Sequence, residues 1–184
     1  MRRCLWPIAR ANSVLCRHSK LLWASLLAAP VFADGNRCDQ LAALAADPFK
    51  QAEAVDYQDI QGPDVILACH QAVTDHPDNG RYWVQLGRGY LKMDRGPEMV
   101  AAFERAQRLD YPVAWFALAV TYHTGNGRAR SDRAQAEALY LEAYERGVPF
   151  AALGLARLYD EPGQAQFDPD KSSLWQRRFE QRSD

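Results

Sequence analysis

Cys38 and Cys69 stand 31 positions apart, beyond the basic N-terminal stretch that holds Cys4 and Cys16. Without a Cys-x-x-Cys spacing they do not form a catalytic dithiol. In an oxidising compartment an even pair of this kind closes as a structural cross-link. In the loop-entropy account that link is worth roughly 3–4 kcal/mol. Two separate buried thiols are the alternative. The histidines downstream are His70, His76 and His123. Zinc needs about four convergent ligands, these residues have none of the usual close spacings, and oxidation of the two cysteines would remove both thiolates. No metal and no cofactor is expected.

Carboxylates are the next group able to do chemistry. Glycoside hydrolysis needs two of them facing each other across a cleft, either about 5–5.5 Å or about 6.5–9.5 Å apart. Glu137, Glu142, Glu145 and Asp160 are available, but solvated helix faces carry such residues routinely. A glycan-binding or glycan-acting enzyme is therefore the lesser alternative, and the chain is expected not to be an enzyme. Gly125-Asn126-Gly127-Arg128 has neither the Gly-x-x-x-x-Gly-Lys-Ser/Thr series nor a preceding strand, so it reads as a loop needing unusual backbone angles, not as a phosphate cradle. Arg128, Arg130 and Arg133 give that region a local positive potential.

The elements that must position these residues are helices written in repeats. Tyr82-Trp83-Val84-Gln85-Leu86-Gly87-Arg88-Gly89-Tyr90 returns as Ala114-Trp115-Phe116-Ala117-Leu118-Ala119-Val120-Thr121-Tyr122, and again as Ala151-Ala152-Leu153-Gly154-Leu155-Ala156-Arg157-Leu158-Tyr159. The closing tyrosines are 32 and 37 positions apart, a period typical of stacked helical hairpins whose neighbours bury each other's apolar faces. Between these copies run apolar periodicities at Met99, Ala102, Phe103 and Ala106 and at Ala136, Leu139, Tyr140 and Ala143, three or four apart as on one helix face. The expected core of the repeats is Leu86, Gly87, Tyr90, Trp115, Leu118, Tyr122, Tyr140, Leu155 and Tyr159. Gly87 inside a helix implies close approach by a neighbour. Asp64 and Asp132 are the expected caps of their helices, Arg95-Gly96 a turn, and Gly62-Pro63 a break. A last helix runs from about Pro169 to Gln181.

Residues 1–33 contain five basic residues and no acidic one, then an apolar run at Leu21–Ala29 and small residues at Val31-Phe32-Ala33. That order describes a secretory signal peptide cleaved after Ala33; an uncleaved anchor is the alternative, although the run falls short of the roughly 20 apolar residues a span requires. All 23 acidic residues follow it, leaving the remainder net negative. An acidic chain with dispersed Arg and Lys is a poor match for nucleic acid or an anionic membrane surface. The expected organisation is a signal at 1–33, an N-terminal helical cap at 34–79 closed by Cys38–Cys69, and about two and a half repeats over 80–184.

The repeat unit resembles the Sel1-like repeat, a relative of the tetratricopeptide repeat. The middle copy carries the resemblance through Ala114, Leu118-Ala119, Tyr122, Gly125, Gly127, Asp132, Gln135-Ala136, Leu139-Tyr140, Ala143 and Gly147, and the last copy through Leu155, Tyr159, Asp168, Lys171 and Trp175. It departs at Ala119, where the pattern has glycine, and at Leu139, where it has tryptophan. The resemblance implies an all-α, right-handed α-solenoid of antiparallel helix hairpins acting as a non-enzymatic protein–protein interaction scaffold. With the export signal, that becomes a periplasmic or secreted adaptor holding a protein partner of the bacterial cell envelope. Phe116 and Tyr144 are the aromatics the repeat pattern leaves unexplained, and aromatics with arginines dominate many interfaces. The expected partner surface is therefore Phe116, Tyr144, Arg128 and Arg130. Self-association through Trp175 and Phe179 is the structural alternative.

Overall fold

A computed structural model describes residues 36–127 and 131–183. The expected export signal, and Arg128 and Arg130, lie outside the described residues. Every regular element among them is helical: α1 (Arg37–Ala42), α2 (Gly62–Asp75), α3 (Gly80–Lys92), α4 (Gly96–Arg108), α5 (Val113–Thr124), α6 (Arg133–Glu145), α7 (Phe150–Tyr159) and α8 (Pro169–Ser183), with one 3₁₀ turn at Tyr57–Asp59. The chain is all-α.

Local chemistry sets most of the starts. Asn36, Asn79 and Asp132 accept backbone N–H bonds from Cys38 (3.1 Å), Arg81 (3.2 Å) and Gln135 (3.0 Å), satisfying amides that the first helical turn leaves open. Two sequence expectations shift. Gly62-Pro63 opens α2 instead of breaking the chain, because proline in the first turn has no amide to satisfy. Asp64 then falls inside that turn and caps nothing. Similarly, the left-handed residue between α3 and α4 is Asp94 (φ 53°), while Gly96 begins α4. Gly96 is needed for proximity: a Cβ there would lie 2.3 Å from the Cα of Gly127, so two backbones cross where only glycines fit.

Each helix from α2 onward packs against its neighbour in sequence, and α3 also touches α5, as α5 touches α7. Leu86, Tyr90, Leu118, Tyr140, Leu155 and Tyr159 are buried between them. Gly87 is buried against Phe103, whose ring edge would sit 2.2 Å from a Cβ at that position, so α4 approaches α3 over a missing side chain. Trp115 and Tyr122 are only partly buried. Arg146 lies 3.8 Å over the Trp115 ring while its guanidinium bonds Asp110 and Glu142, which turns one face of the indole into a cation platform.

Residues 36–60 have little helix of their own and are held by α2 and α3. The disulfide joins Cys38 on α1 to Cys69 on α2. Asp39, 1% exposed, accepts from Arg81 Nε (2.7 Å), Arg81 Nη2 (3.2 Å) and Gln85 Nε2 (2.8 Å). Buried Arg88 donates through Nη1 to the carbonyls of Ala42 (2.9 Å) and Ala43 (2.7 Å), and through Nη2 to that of Val55 (2.9 Å). One α3 face, at positions 81, 85 and 88, thus grips the segment by charge and by its main chain.

Asp47 extends this attachment to the α4–α5 turn, accepting from the Phe49 N–H (2.8 Å) and the Tyr111 hydroxyl (2.5 Å). Burial lifts the Asp47 carboxyl above its ordinary value against the pull of those two bonds. A carboxyl raised on folding favours the fold most below its unfolded pKa, and that contribution is lost as pH rises through the folded value. The stability of the natural chain relative to Asp47→Asn is therefore expected to decline as pH rises from below the ordinary carboxylate range towards neutrality, read as urea midpoints at each pH. A flat difference, or one moving the other way, would show that the buried carboxyl is not the titrating group.

Candidate functional site

Between α5 and α7 runs a groove of about 530 Å³, its walls formed by Phe116 and Val120 from α5 and by Phe150, Leu153 and Arg157 from α7. Tyr140 of α6 forms the floor, buried to 2% exposure. Gly154 lets that ring rise between the walls: a Cβ at 154 would meet Tyr140 Cε1 at 2.4 Å. Phe116 leans on the ring at 6.0 Å between centroids, and His123 meets it edge-on at 5.9 Å.

The groove is apolar at the Phe116–Phe150 end and polar where α5 and α7 finish. There His123 Nδ1 lies 3.3 Å from the Tyr140 hydroxyl, and His123 Nε2 lies 3.0 Å from Glu161 Oε1. Arg133 donates to Glu161 Oε2 (2.6 Å) and to the Leu158 carbonyl (2.5 Å). Burial alone would raise the Glu161 carboxyl, but the His123 bond and the Arg133 charge outweigh it and hold it below its ordinary value. Burial pushes the Tyr140 phenol upward, so at neutral pH it keeps its proton. Glu161 lines the groove and is held there by Arg133 and His123; among the described residues it is the carboxylate that lines it. Glu137, one of the four carboxylates weighed from sequence, accepts the Tyr159 hydroxyl at 2.5 Å and is tied into the α6–α7 packing. Among the described residues no group of three or more His, Cys, Asp or Glu side chains is placed to hold a metal ion, and no helix is long and apolar enough to cross a membrane.

Of the residues singled out from sequence, Phe116 lines the groove. Tyr144 does not. Its ring packs edge-on against Trp175 of α8 at 5.1 Å, and Arg182 covers it at 4.3 Å while donating to the Tyr144 carbonyl. Trp175 is buried there, and Phe179 meets Phe150 at 5.2 Å, so both α8 aromatics are engaged within the chain.

Protein-family models, curated proteins and solved structures gave no match to this chain.

From sequence, no binding role falls to Phe150, Leu153, Arg157 or Glu161, and His123 is weighed as a metal ligand. Arg157 had a signal. The register that aligns Tyr90, Tyr122 and Tyr159 puts Arg88, Val120 and Arg157 two positions before each tyrosine, and puts Arg81, Val113 and Phe150 nine before. Arg88 and Arg157 are therefore equivalents, one covered by the chain's own N-terminal segment and the other exposed beside the groove.

Proposed function

We propose that this protein is a non-enzymatic adaptor of the bacterial cell envelope, exported by residues 1–33, that holds a partner protein in the groove between α5 and α7. On this reading, residues 80–184 are a right-handed α-solenoid of Sel1-like hairpins and residues 34–79 are its N-terminal cap. The architecture is supported by three-fold recurrence of the leucine–tyrosine pattern on α3, α5 and α7, and by the contacts that link those helices to each other as well as to their sequence neighbours. The observation that carries the binding role is the groove itself, an apolar trough lined by Phe116 and Leu153 with a polar end at His123 and Arg157. Apolar walls with a few convergent polar groups are what ligand sites share.

The measurement is quantitative affinity capture from envelope extract with the oxidised chain as bait, comparing natural protein with Phe116→Ala and with Leu153→Ala. At least one protein is expected to fall about tenfold in recovery with both variants, as for loss of an interface anchor, while circular dichroism shows them folded. Recovery unchanged in both folded variants would remove the groove from the function. Tyr144→Ala, outside the groove, is expected to leave recovery unaltered.

A further inference from the structure

Arg88 and Arg157 occupy the same register, yet their surroundings differ in a way that identifies what the second one lacks. On α3, positions 81, 85 and 88 are covered by residues 39–55 of this chain, and Arg88 grips three main-chain carbonyls there. On α7, the equivalent positions are Phe150, Gly154 and Arg157, and all three line the open groove. We propose, on the reading of the groove given above, that its occupant is an extended, uncharged peptide segment of the partner. Arg157 would hold the segment's backbone carbonyls as Arg88 holds those of Ala42, Ala43 and Val55.

The replacements between the two faces define the side chains that fit. Arg81 and Gln85 of α3 meet the carboxylate of Asp39; Phe150 and Gly154 offer no such partner, so the occupant presents an apolar group where the N-terminal segment presents an acid. The groove's own carboxylate, Glu161, is held by Arg133 and His123, which leaves the Arg157 guanidinium as the donor facing the occupant. The lining of α5 extends from Phe116 to Thr124, a rise of about 12 Å. That length accommodates roughly four extended residues at ~3.3 Å each, with the apolar side chain at the Phe116–Phe150 end and the carbonyls toward Arg157.

Arginine and lysine separate carbonyl binding from carboxylate binding. A guanidinium spans two or three acceptors in a fixed fork, whereas an ammonium serves a carboxylate as a point charge but cannot span the same set. The probe is a displayed library of random peptides about seven residues long, selected on the full chain, with the recovered peptides resynthesised with acetylated and amidated ends. Peptides carrying an apolar residue and no net charge are expected to bind. Arg157→Met and Arg157→Lys should each weaken them about tenfold, the scale of losing a charge-assisted bond, and Arg108→Met, on the exposed end of α4, should leave them unchanged.

Acidic peptides that still bind Arg157→Lys would overturn the inference in favour of a carboxylate ligand. Failure to recover any peptide, or recovery indifferent to Arg157→Met, would overturn it outright. Capture of a partner lost with Phe116→Ala but kept with Arg157→Met would leave the adaptor reading standing and sink the carbonyl grip alone.

Discussion

Replacing Arg88 with methionine is expected to destabilise the protein by about 3–5 kcal/mol, the range for removing one partner from a buried charged network. Methionine keeps the aliphatic stem and its packing, so the change isolates the guanidinium. Three carbonyls, on Ala42, Ala43 and Val55, lose the guanidinium together; Ala43 keeps the Val55 N–H at 2.9 Å, and each buried acceptor left unsatisfied costs about 1–3 kcal/mol. The Ala42 and Ala43 carbonyls belong to the end of α1, where the helix leaves acceptors without internal partners. Burial pulls the Arg88 guanidinium down to about 10, so it remains a cation at neutral pH, and its desolvation is balanced only while those acceptors stay in place. Arg88→Lys is expected to fall between, because a single ammonium cannot reach three carbonyls. Urea unfolding gives the measurement. A loss below about 1 kcal/mol for Arg88→Met, typical of an ordinary surface change, would mean that water takes over the carbonyls and that residues 42–55 are held elsewhere.

The dependence of residues 42–55 on Arg88 also explains where the sequence was readable and where it was not. Leucine and tyrosine recur on α3, α5 and α7 because those side chains face the core, and a core-facing helix records its contacts as a period of 3.6. The Cys38–Cys69 pair was legible because only two cysteines lie beyond residue 33, which leaves one pairing between them. Residues 49–62 show no steady period, and the bonds that α3 makes to them, from Arg88 to Val55 and from Lys92 to Tyr57 and Gln58, fall on carbonyls, which every residue possesses. The turn before α4 was misplaced for a related reason. Glycine signals both positive φ and close approach; at Gly96 the second applies, and Asp94 takes the unusual angle. Phe116 and Tyr144 both stand outside the repeat pattern; Phe116 lines the groove, and Tyr144 does not. Its engagement by Trp175 and Arg182 arises from how α8 returns across α6 and α7, a tertiary outcome that local spacing does not encode. Arg157 shares its register with Arg88, but a single exposed arginine beside a strong pattern of large apolar residues carries no periodic signal of its own.

Cys38→Ala combined with Cys69→Ala is expected to lower stability by roughly 3–4 kcal/mol if the cross-link acts through the entropy of the unfolded chain. Both sulfurs are fully buried and alanine fits either site, so the native fold should persist with the Asp39 and Arg88 bonds intact. α1 has only six residues and cannot persist as an isolated helix, so its order rests on the cross-link and on those bonds together. Trypsin reads which mechanism dominates, because Lys50 is exposed in the middle of the segment. Cleavage at Lys50 that tracks global unfolding places the cross-link's effect in the unfolded chain; cleavage at lower denaturant means that the segment detaches first. The triple variant with Arg88→Met makes the distinction quantitative. If guanidinium and disulfide hold the same segment, its detachment forfeits both contributions at once, and the combined loss falls short of the sum of the separate ones by more than the ~0.5 kcal/mol expected of independent sites. Full additivity would instead assign the disulfide to the unfolded chain and leave Arg88 as the residue that keeps the segment docked.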